Sequence, residues 1–474
     1  AGAGLVVVGN LTSLFTQSAS AAPLQQRRRA AAGATSIRRS WATGYGALTP
    51  DPAKLLDLPD GFTYKVISEA GAPLTGASGT LPDAFDGTAL FEVDGRRFLI
   101  RNSEQGYPEE DEPIEFPAVA APEFTYDPAA MGGTTTTELD ADGNVVAEYV
   151  SLAGTSTNCA GGITPWGTWL TCEETEDITG DGGMTKDHGF VFEVDPVDVA
   201  NNENPTPLEG LGRFEHEAVV IDPNTGAVYL TEDASGPNGL LYRATPTTPL
   251  GGYGSLRDGA LLEALVAYDS NGGFVADLSE FSEPGTLLTT EWTAIPDPLA
   301  TEDSTRVQLN KVTRSRKLEG MWWGEDAAYI VASYARNDDG SVGEHDGQVW
   351  RLDPAANTME LVIQFGVNPD PASDNFDSPD NITVSPWGGL LLCADGEGVQ
   401  HLFTVSPDGQ ASMFARNSRD LAEETGSEFT GATFSADGET LFVNLQVPGV
   451  TFAITGPWDG EAAPSGSTPA TSAA

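Results

Sequence analysis

From Thr88 to Gln446 the chain repeats one alternation of apolar and polar positions. Six stretches carry it: "TALFEVDGRRFLIRNSEQG", "CAGGITPWGTWLTCEET", "HEAVVIDPNTGAVYLTEDA", "LEGMWWGEDAAYIVASYA", "PDNITVSPWGGLLLCADGE" and "FTGATFSADGETLFVNLQ". Each runs a short apolar strand into a turn built from Pro, Asp, Asn or Gly, then a second apolar strand, which is the signature of a β-hairpin. Several units continue into a further strand, as in "GFVFEVDP", "GLLYRATP", "GQVWRLDP" and "HLFTVSPDG". Divergent units repeated about six times predict an all-β fold, a six-bladed β-propeller. A pair of β-sandwiches is the alternative. The two differ in what they gather: a propeller brings equivalent positions of separate blades to one axis, and a sandwich pair does not. Four of the second strands end in an acid, at Glu104, Glu173, Glu232 and Asp395.

Two stretches break the pattern, 105–155 and 245–315, and read as irregular or partly helical insertions. In the second, "LRDGALLEALVA" has helical spacing. Long insertions on a rigid scaffold often build or cover a site.

Composition agrees with a turn-rich β protein. The 474 residues include 54 Gly and 32 Pro, and 39% are hydrophobic, enough for a substantial core. The patterned region is read as a single domain over 46–459. Charge changes the picture more. The net charge is −47, with 70 Asp and Glu against 23 Lys and Arg. Such a body repels nucleic acid and anionic membranes and suits multivalent cations. Most of these acids read as a solvated surface.

Residues 1–22 read as the remnant of an export signal. "AGAGLVVVGNLTSLF" is apolar and rich in small residues, and "SASAAP" resembles a signal-peptidase site. No charged segment precedes it, so the chain reads as starting inside a longer signal, a twin-arginine one being the candidate. No other apolar run approaches the ~18 residues that cross a bilayer. Residues 23–45 read as a disordered lead-in and 460–474 as a low-complexity tail. An exported protein with no membrane or nucleic-acid partner is therefore expected, and nothing in the sequence requires more than a monomer.

The candidate chemistry rests on acids and sulfur. Only four histidines are present, which argues against a His-rich zinc site. No G-x-S-x-G elbow, P-loop or G-x-G-x-x-G occurs. Carboxylates remain, and these are ligands for hard cations such as calcium and ferric iron. The three cysteines are Cys159, Cys172 and Cys393. Cys172 and Cys393 occupy matching places on apolar second strands and read as buried small hydrophobes. Cys159 sits beside glycines at the start of a first strand. A Cys159–Cys172 disulfide is one reading, and a thiolate metal ligand is the preferred one. Trp166 and Trp387, in matching "PWG" turns, read as packing residues. His216 reads as orienting a neighbour.

"NCAGGITPWGTWLTCEE" closely resembles the signature of the PhoX-type alkaline phosphatases. Weaker resemblances extend to "GRFEHEAVVIDPNTGAVYLTED", "KLEGMW" and "FDSPDNITVSPWGGLLLCADG", so that the likeness spans roughly residues 50–455. The resemblance implies an exported six-bladed propeller that hydrolyses phosphate monoesters, with diesters as a further class. It implies a cluster of Fe3+ and Ca2+ whose bridging oxygen is the nucleophile. Carried across by motif, Cys159 is an iron ligand, and Glu217 and Glu319 are carboxylate ligands. Glu173 and Glu174 serve the iron–calcium face, with Asp380 and Asp395 beside them. Adjacent residues on a strand point to opposite faces, so only one of Glu173 and Glu174 easily reaches a given ion. Glu104 matches an acid of the first blade, where the family often shows Asn-His-Glu and this chain has "NSEQ". Where family members commonly show Arg-Pro-Glu, this chain has "RKLEG", which puts Lys317 in the place of the phosphate-gripping arginine. Lysine binds phosphate as a point charge and lacks the bidentate fork. Arg213, just before "FEHE", is a second candidate for that role. A calcium-dependent lactonase-like propeller, or a secreted binding propeller with structural metal, are the other functions open to the sequence.

Overall fold

The structure, a computed structural model, describes residues 7–8, 44–106, 121–234, 238–333, 345–366, 376–396, 398–407, 409–419 and 427–459. The expected lead-in and tail, and all but Val7–Val8 of the expected signal segment, lie outside these residues apart from Gly44 and Tyr45. Val7–Val8 forms a two-residue strand against Thr358–Gln364. Among the described residues the fold is all-β: strands joined by turns and short 3₁₀ turns, with no α-helix.

Each of the six sequence hairpins forms. Their first strands are Phe85–Val93, Asn158–Ile163, His216–Ile221, Leu318–Gly324, Pro379–Val384 and Phe429–Phe434. These strands adjoin one another in a closed circuit, each beside the next and the last beside the first. They are the inner strands of a propeller-like arrangement. The hydrogen-bonded sheets number five rather than six. The third and fourth hairpins share one 11-stranded sheet because Leu287–Ala294 pairs with Ala260–Tyr268 on one side and Thr358–Gln364 on the other.

Neighbouring sheets pack face to face around the circuit, and this explains the unbroken apolar runs. Ala89, Phe98 and Ile100 of the first sheet meet Trp169 and Phe192 of the second. Leu170 and Val191 then meet Leu230 and Tyr242, and Val220 and Tyr229 meet Ile330 and Trp350. Val331 and Val349 continue against Leu392 and Phe403, and Leu391 and Leu402 against Leu441 and Val443. A second strand such as Leu390–Ala394 is therefore buried on both faces and needs no polar alternation. Cys172 and Cys393 lie inside these layers as free thiols, and Cys159 is free as well, so the disulfide reading fails. The circuit closes when Thr63–Glu69, from the N-terminal side, pairs antiparallel with Val450–Thr455.

The irregular or partly helical reading of both stretches is corrected: among the described residues each supplies strands to a sheet, and neither holds an α-helix. Gly132–Leu139 and Val145–Thr155, inside 105–155, are the third and fourth strands of the first sheet. The supposed helix "LRDGALLEALVA" is a 3₁₀ turn at Ser255–Asp258 followed by the strand Ala260–Tyr268. Its apolar residues fit a strand covered on both faces: Leu262 and Ala264 pack in one layer and Leu265 and Ala267 in the next. Tertiary packing overrides a helical propensity of this size.

Candidate metal centre

All six hairpins share one irregularity, and it builds the site. Three residues of the inner strand oppose two of its partner at the same place: Phe85 to Thr88 against Ser103 to Arg101, and likewise from Asn158, His216, Leu318 and Pro379. In the sixth the bulge falls one residue later, between Thr430 and Thr433. A bulge re-aims the side chains it carries. The residue that follows the first paired one is Asp86, Cys159, Glu217, Glu319, Asp380 and, in the sixth hairpin, Thr430. On the partner strands the residue after the last paired one is Glu104, Glu174, Asp233, Ser333, Asp395 and Gln446. Two residues before each inner position the backbone carbonyl accepts the N–H of this second set in five hairpins, for example Glu104 N–H to Ala84 O at 2.8 Å and Glu174 N–H to Thr157 O at 2.9 Å. Ala84, Thr157, Lys317 and Ser378 make this turn with positive φ, between 40° and 50°. Left-handed non-glycine residues of this kind cluster at functional sites.

The two sets converge. Four groups of three donors each come within 4.8 Å of one another: Asp86, Glu104 and Cys159; Cys159, Glu174 and Glu217; Glu217, Glu319 and Asp380; Asp380, Asp395 and Glu428. Each group shares a member with the next, so nine side chains trace one continuous arc. Asp86, Cys159, Glu217 and Glu319 are buried, Glu104, Glu174, Asp380 and Glu428 are half-buried, and Asp395 is exposed. The small residues that follow the inner donors, among them Gly87, Ala160, Ala218 and Gly320, line a space of about 20 Å³, room for about one water.

Crowded, desolvated acids resist ionisation. Burial, and then Asp380, pushes Asp86 up to about 8; burial, and then Asp233, pushes Glu319 up to about 7. Burial, followed by the neighbouring Asp86 and Glu217, holds the Cys159 thiol well above its ordinary value. Some of these groups have partners. Gln446 Nε2 donates to Glu104 at 2.7 Å, Asn381 Nδ2 to Asp380 at 2.7 Å, and Ser333 Oγ to Glu319 at 2.8 Å. Glu217 has none among the described residues: it is fully buried, and neither carboxylate oxygen meets a hydrogen-bond partner there. A buried carboxylate is paired, neutral or bound to a metal. Several carboxylates and one sulfur around such an orphaned group fit a cluster of cations, and the acids of the arc could hold metal ions.

Lys317 brings a cation to the arc. Its Nζ lies 2.7 Å from Asp233 Oδ2 and 3.1 Å from Glu319 Oε1. Burial works against its charge, but Glu319 and Asp233 outweigh it and hold its pKa well above the ordinary lysine value.

Two expected site residues do not join the arc. Glu173 is the paired residue, not the one after it, and it faces the other way. Its oxygens accept from Ser156 N–H (2.8 Å), His188 Nδ1 (2.6 Å), Gly189 N–H (2.9 Å) and Phe190 N–H (3.0 Å), which leaves it no capacity for a metal. Arg213 is corrected as a phosphate grip: its guanidinium is spent on the carbonyls of Leu299, Glu176 and Ala300. Glu232 shares the outward position of Glu173 and takes the Tyr242 hydroxyl at 2.8 Å. Trp166 and Trp387 donate to Glu193 and to the Gly438 carbonyl as packing residues. His216 stacks on Phe214 with ring centroids 3.6 Å apart, and its Nε2 meets the Gly212 carbonyl.

Comparison with known proteins decides the family. A family model described as alkaline phosphatase PhoX matches residues 43–146 and 141–449. The chain belongs to the alkaline phosphatase PhoX family. Among solved structures, that of Pseudomonas fluorescens PhoX in complex with vanadate, a transition state analogue, superposes with a TM-score of 0.62 at 18% identity, over 88% of this chain and 97% of that one. The PQQ domain of pyranose dehydrogenase from Coprinopsis cinerea gives 0.39 at 11% identity, over 86% and 98% of the two chains. The periplasmic gluconolactonase of Pseudomonas aeruginosa gives 0.36 at 14%, over 81% and 89%. No curated protein sequence matches the chain. Membership makes this chain a phosphatase on an all-β, propeller-like fold, and no helix among the described residues is long and apolar enough to cross a membrane.

Two donors of the arc, Asp86 and Glu428, and the Lys317 partner Asp233 were not visible as such in the sequence. Asp86, in "FDGTAL", stands two residues before the first hairpin as the apolar pattern delimits it, and its Asp-Gly reads as a turn. Glu428 stands one residue before "FTGATF". Asp233 was hidden behind Glu232. A usable signal exists: the donor precedes a small residue at the head of the first strand, in Asp-Gly, Cys-Ala, Glu-Ala, Glu-Gly and Asp-Asn.

Proposed function

We propose that this PhoX-family chain is an exported six-bladed propeller that hydrolyses phosphate monoesters, and diesters as a second class, with the aid of ferric iron and calcium. The orphaned Glu217 carboxylate carries this reading: burial and neighbouring acids disfavour its charge, and a cation lodged beside it would both restore that charge and fill its unmet coordination. Cys159, with Glu174 and Glu217 on one side and Asp86 and Glu104 on the other, offers the sulfur that suits iron. The all-oxygen groups, Glu217–Glu319–Asp380 and Asp380–Asp395–Glu428, suit calcium. When bound, such cations stabilise the charge of a phosphoryl group in transfer and activate an attacking oxygen, so no Ser or Thr nucleophile is required.

The chain's own residues then do three things. The rigid bulges hold the donors in place, which fixes where a phosphate ester can sit. Asp233 and Glu319 hold the Lys317 ammonium at the rim, where it donates to a phosphate oxygen. The buried acids keep negative charge around the cations and exclude water from their inner side. The six inner strands in closed circuit support the six-blade assignment, with the shared sheet read as two blades welded by an insertion. Export through the twin-arginine route and a monomeric state complete the proposal; the apolar N-terminal segment supports the first.

Elemental analysis of gently purified protein, beside hydrolysis of p-nitrophenyl phosphate before and after chelation, tests the reading. Iron and calcium together with chelator-sensitive hydrolysis are expected, and Cys159→Ser should lose iron and activity together. Full activity of Cys159→Ser with calcium alone would instead indicate a calcium-only hydrolase.

A further inference from the structure

Arg306 belongs to the 245–315 segment, and its side chain ends among acids that flank donors of the arc. Its Nη2 lies 2.7 Å from Glu176 Oε2, and its Nη1 lies 3.0 Å from both Glu215 Oε2 and Glu232 Oε1. Each of these acids is attached to a metal-site position. Glu176 is two residues after Glu174, Glu215 is two residues before Glu217, and Glu232 immediately precedes Asp233, the partner of Lys317. Glu174 and Glu215 also face each other in an isolated β-bridge. One guanidinium therefore ties the end of the second hairpin to both ends of the third.

The knot is anchored on the far side. Ser304 Oγ donates to Glu176 Oε2 at 2.9 Å, the Thr305 hydroxyl lies 2.8 Å from the Tyr242 hydroxyl, and Arg314 donates to the Arg306 carbonyl. Three carboxylates in this space repel one another, and a planar guanidinium with several donors can engage all three where an ammonium cannot. The Arg306 side chain is 12% exposed and both of its terminal nitrogens are already engaged by acids, so it is not a free substrate grip.

We infer that Arg306 is a positioning residue that sets the spacing of Glu174 and Glu217 on either side of Cys159, and through Glu232 the placement of the Asp233–Lys317 pair. This rests on the reading of the arc as a metal centre. Without Arg306 the two acidic segments separate, and the donor group around Cys159 loosens although no ligand has changed.

The test uses the full chain and the variants Arg306→Lys, Arg306→Gln and Glu176→Gln, with folding checked by circular dichroism and melting temperature. Iron and calcium are removed and titrated back into folded protein, the thiolate-to-iron absorption is recorded, and kcat and KM are measured with p-nitrophenyl phosphate. The expected result is that Arg306→Lys folds but binds iron about tenfold or more weakly, the range typical of groups that support ligands. The thiolate band should shift, and kcat should fall more than KM rises. Glu176→Gln, which releases one arm of the knot, should change the same readouts in the same direction by less. If Arg306→Gln fails to fold, the other two variants decide. A lowered melting temperature with iron affinity, absorption band and kcat all at wild-type values overturns the inference and leaves Arg306 a purely structural link. If wild-type protein takes up no iron or calcium, the metal reading itself falls, a distinct outcome.

Discussion

At the scale of single residues, the proposed phosphate contact turns on the balance of charge around Lys317. The ammonium stands between Asp233 and Glu319, so it enters any complex already paired. In the proposed role it would donate as a point charge, without the fork that arginine would bring. Removing it should weaken phosphate binding by the worth of one charged hydrogen bond, about 1.5–3 kcal/mol. Lys317→Met is therefore expected to raise KM for p-nitrophenyl phosphate roughly tenfold to a hundredfold, while Asp233→Asn has a smaller effect in the same direction; steady-state kinetics on both variants checks this. A second residue-scale expectation concerns Asp57, which takes Arg416 Nη2 at 2.6 Å and the Asp51 N–H at 2.8 Å. Burial pulls its pKa up, but the hydrogen bonds from Asp51 and Arg416 outweigh it and the folded value lies below the ordinary one. A depressed folded pKa means that the folded state binds fewer protons than the unfolded one. The contribution is thus present above the unfolded value of about 3.9 and is lost as pH falls through the folded value. Melting curves should show Asp57→Asn less stable than wild type at neutral pH, with the gap closing in acid.

The hairpins were legible in the sequence because their turn residues and apolar runs are local signals, and the arc's membership was only partly legible because it depends on parity. Glu104 and Asp395 stand one residue past the last pair and turn inward. Glu173 and Glu232 are themselves paired and turn outward. A shift of one position exchanges the faces of a strand, and a sequence does not print which residue is paired. The bulges are equally silent, although they aim five of the six inner positions at the axis with donors. "LRDGALLEALVA" misled for a related reason, since helical spacing and a strand buried on both faces can share one apolar pattern. Close approach between inner strands supplies a test at this scale. A Cβ on Gly162 would lie 1.7 Å from the Val219 carbonyl oxygen, and one on Gly431, at φ +60°, would lie 2.5 Å from that of Asp86. Gly162→Ala should force neighbouring inner strands apart and cost about 1–3 kcal/mol or more. Urea unfolding should show a lower midpoint at unchanged slope, and the folded fraction should hold less metal than wild type because Cys159 and Glu217 sit on the two strands displaced.

Over the whole molecule, a net charge of −47 acts in two places with different physics. The surface acids repel one another through water, where salt screens them; the Debye length is about 10 Å at 0.1 M and about 3 Å at 1 M. The arc acids repel one another inside the ring, where mobile ions at such distances screen poorly and only cations lodged among them compensate. The two contributions should therefore separate. In metal-replete protein, raising sodium chloride from roughly 0.05 M to roughly 1 M should raise the melting temperature as surface repulsion is screened. Chelation should lower the melting temperature at every salt concentration, and high sodium chloride should restore the surface part but not the part lost from the arc. Calcium added back should recover some of the remaining deficit, and full recovery should require iron as well, because the Cys159 groups include a sulfur donor that calcium binds poorly. A chelated protein brought to its metal-replete melting temperature by sodium chloride alone would show that the arc acids are screened like surface charges, and that the ring does not enclose them as the structure places them.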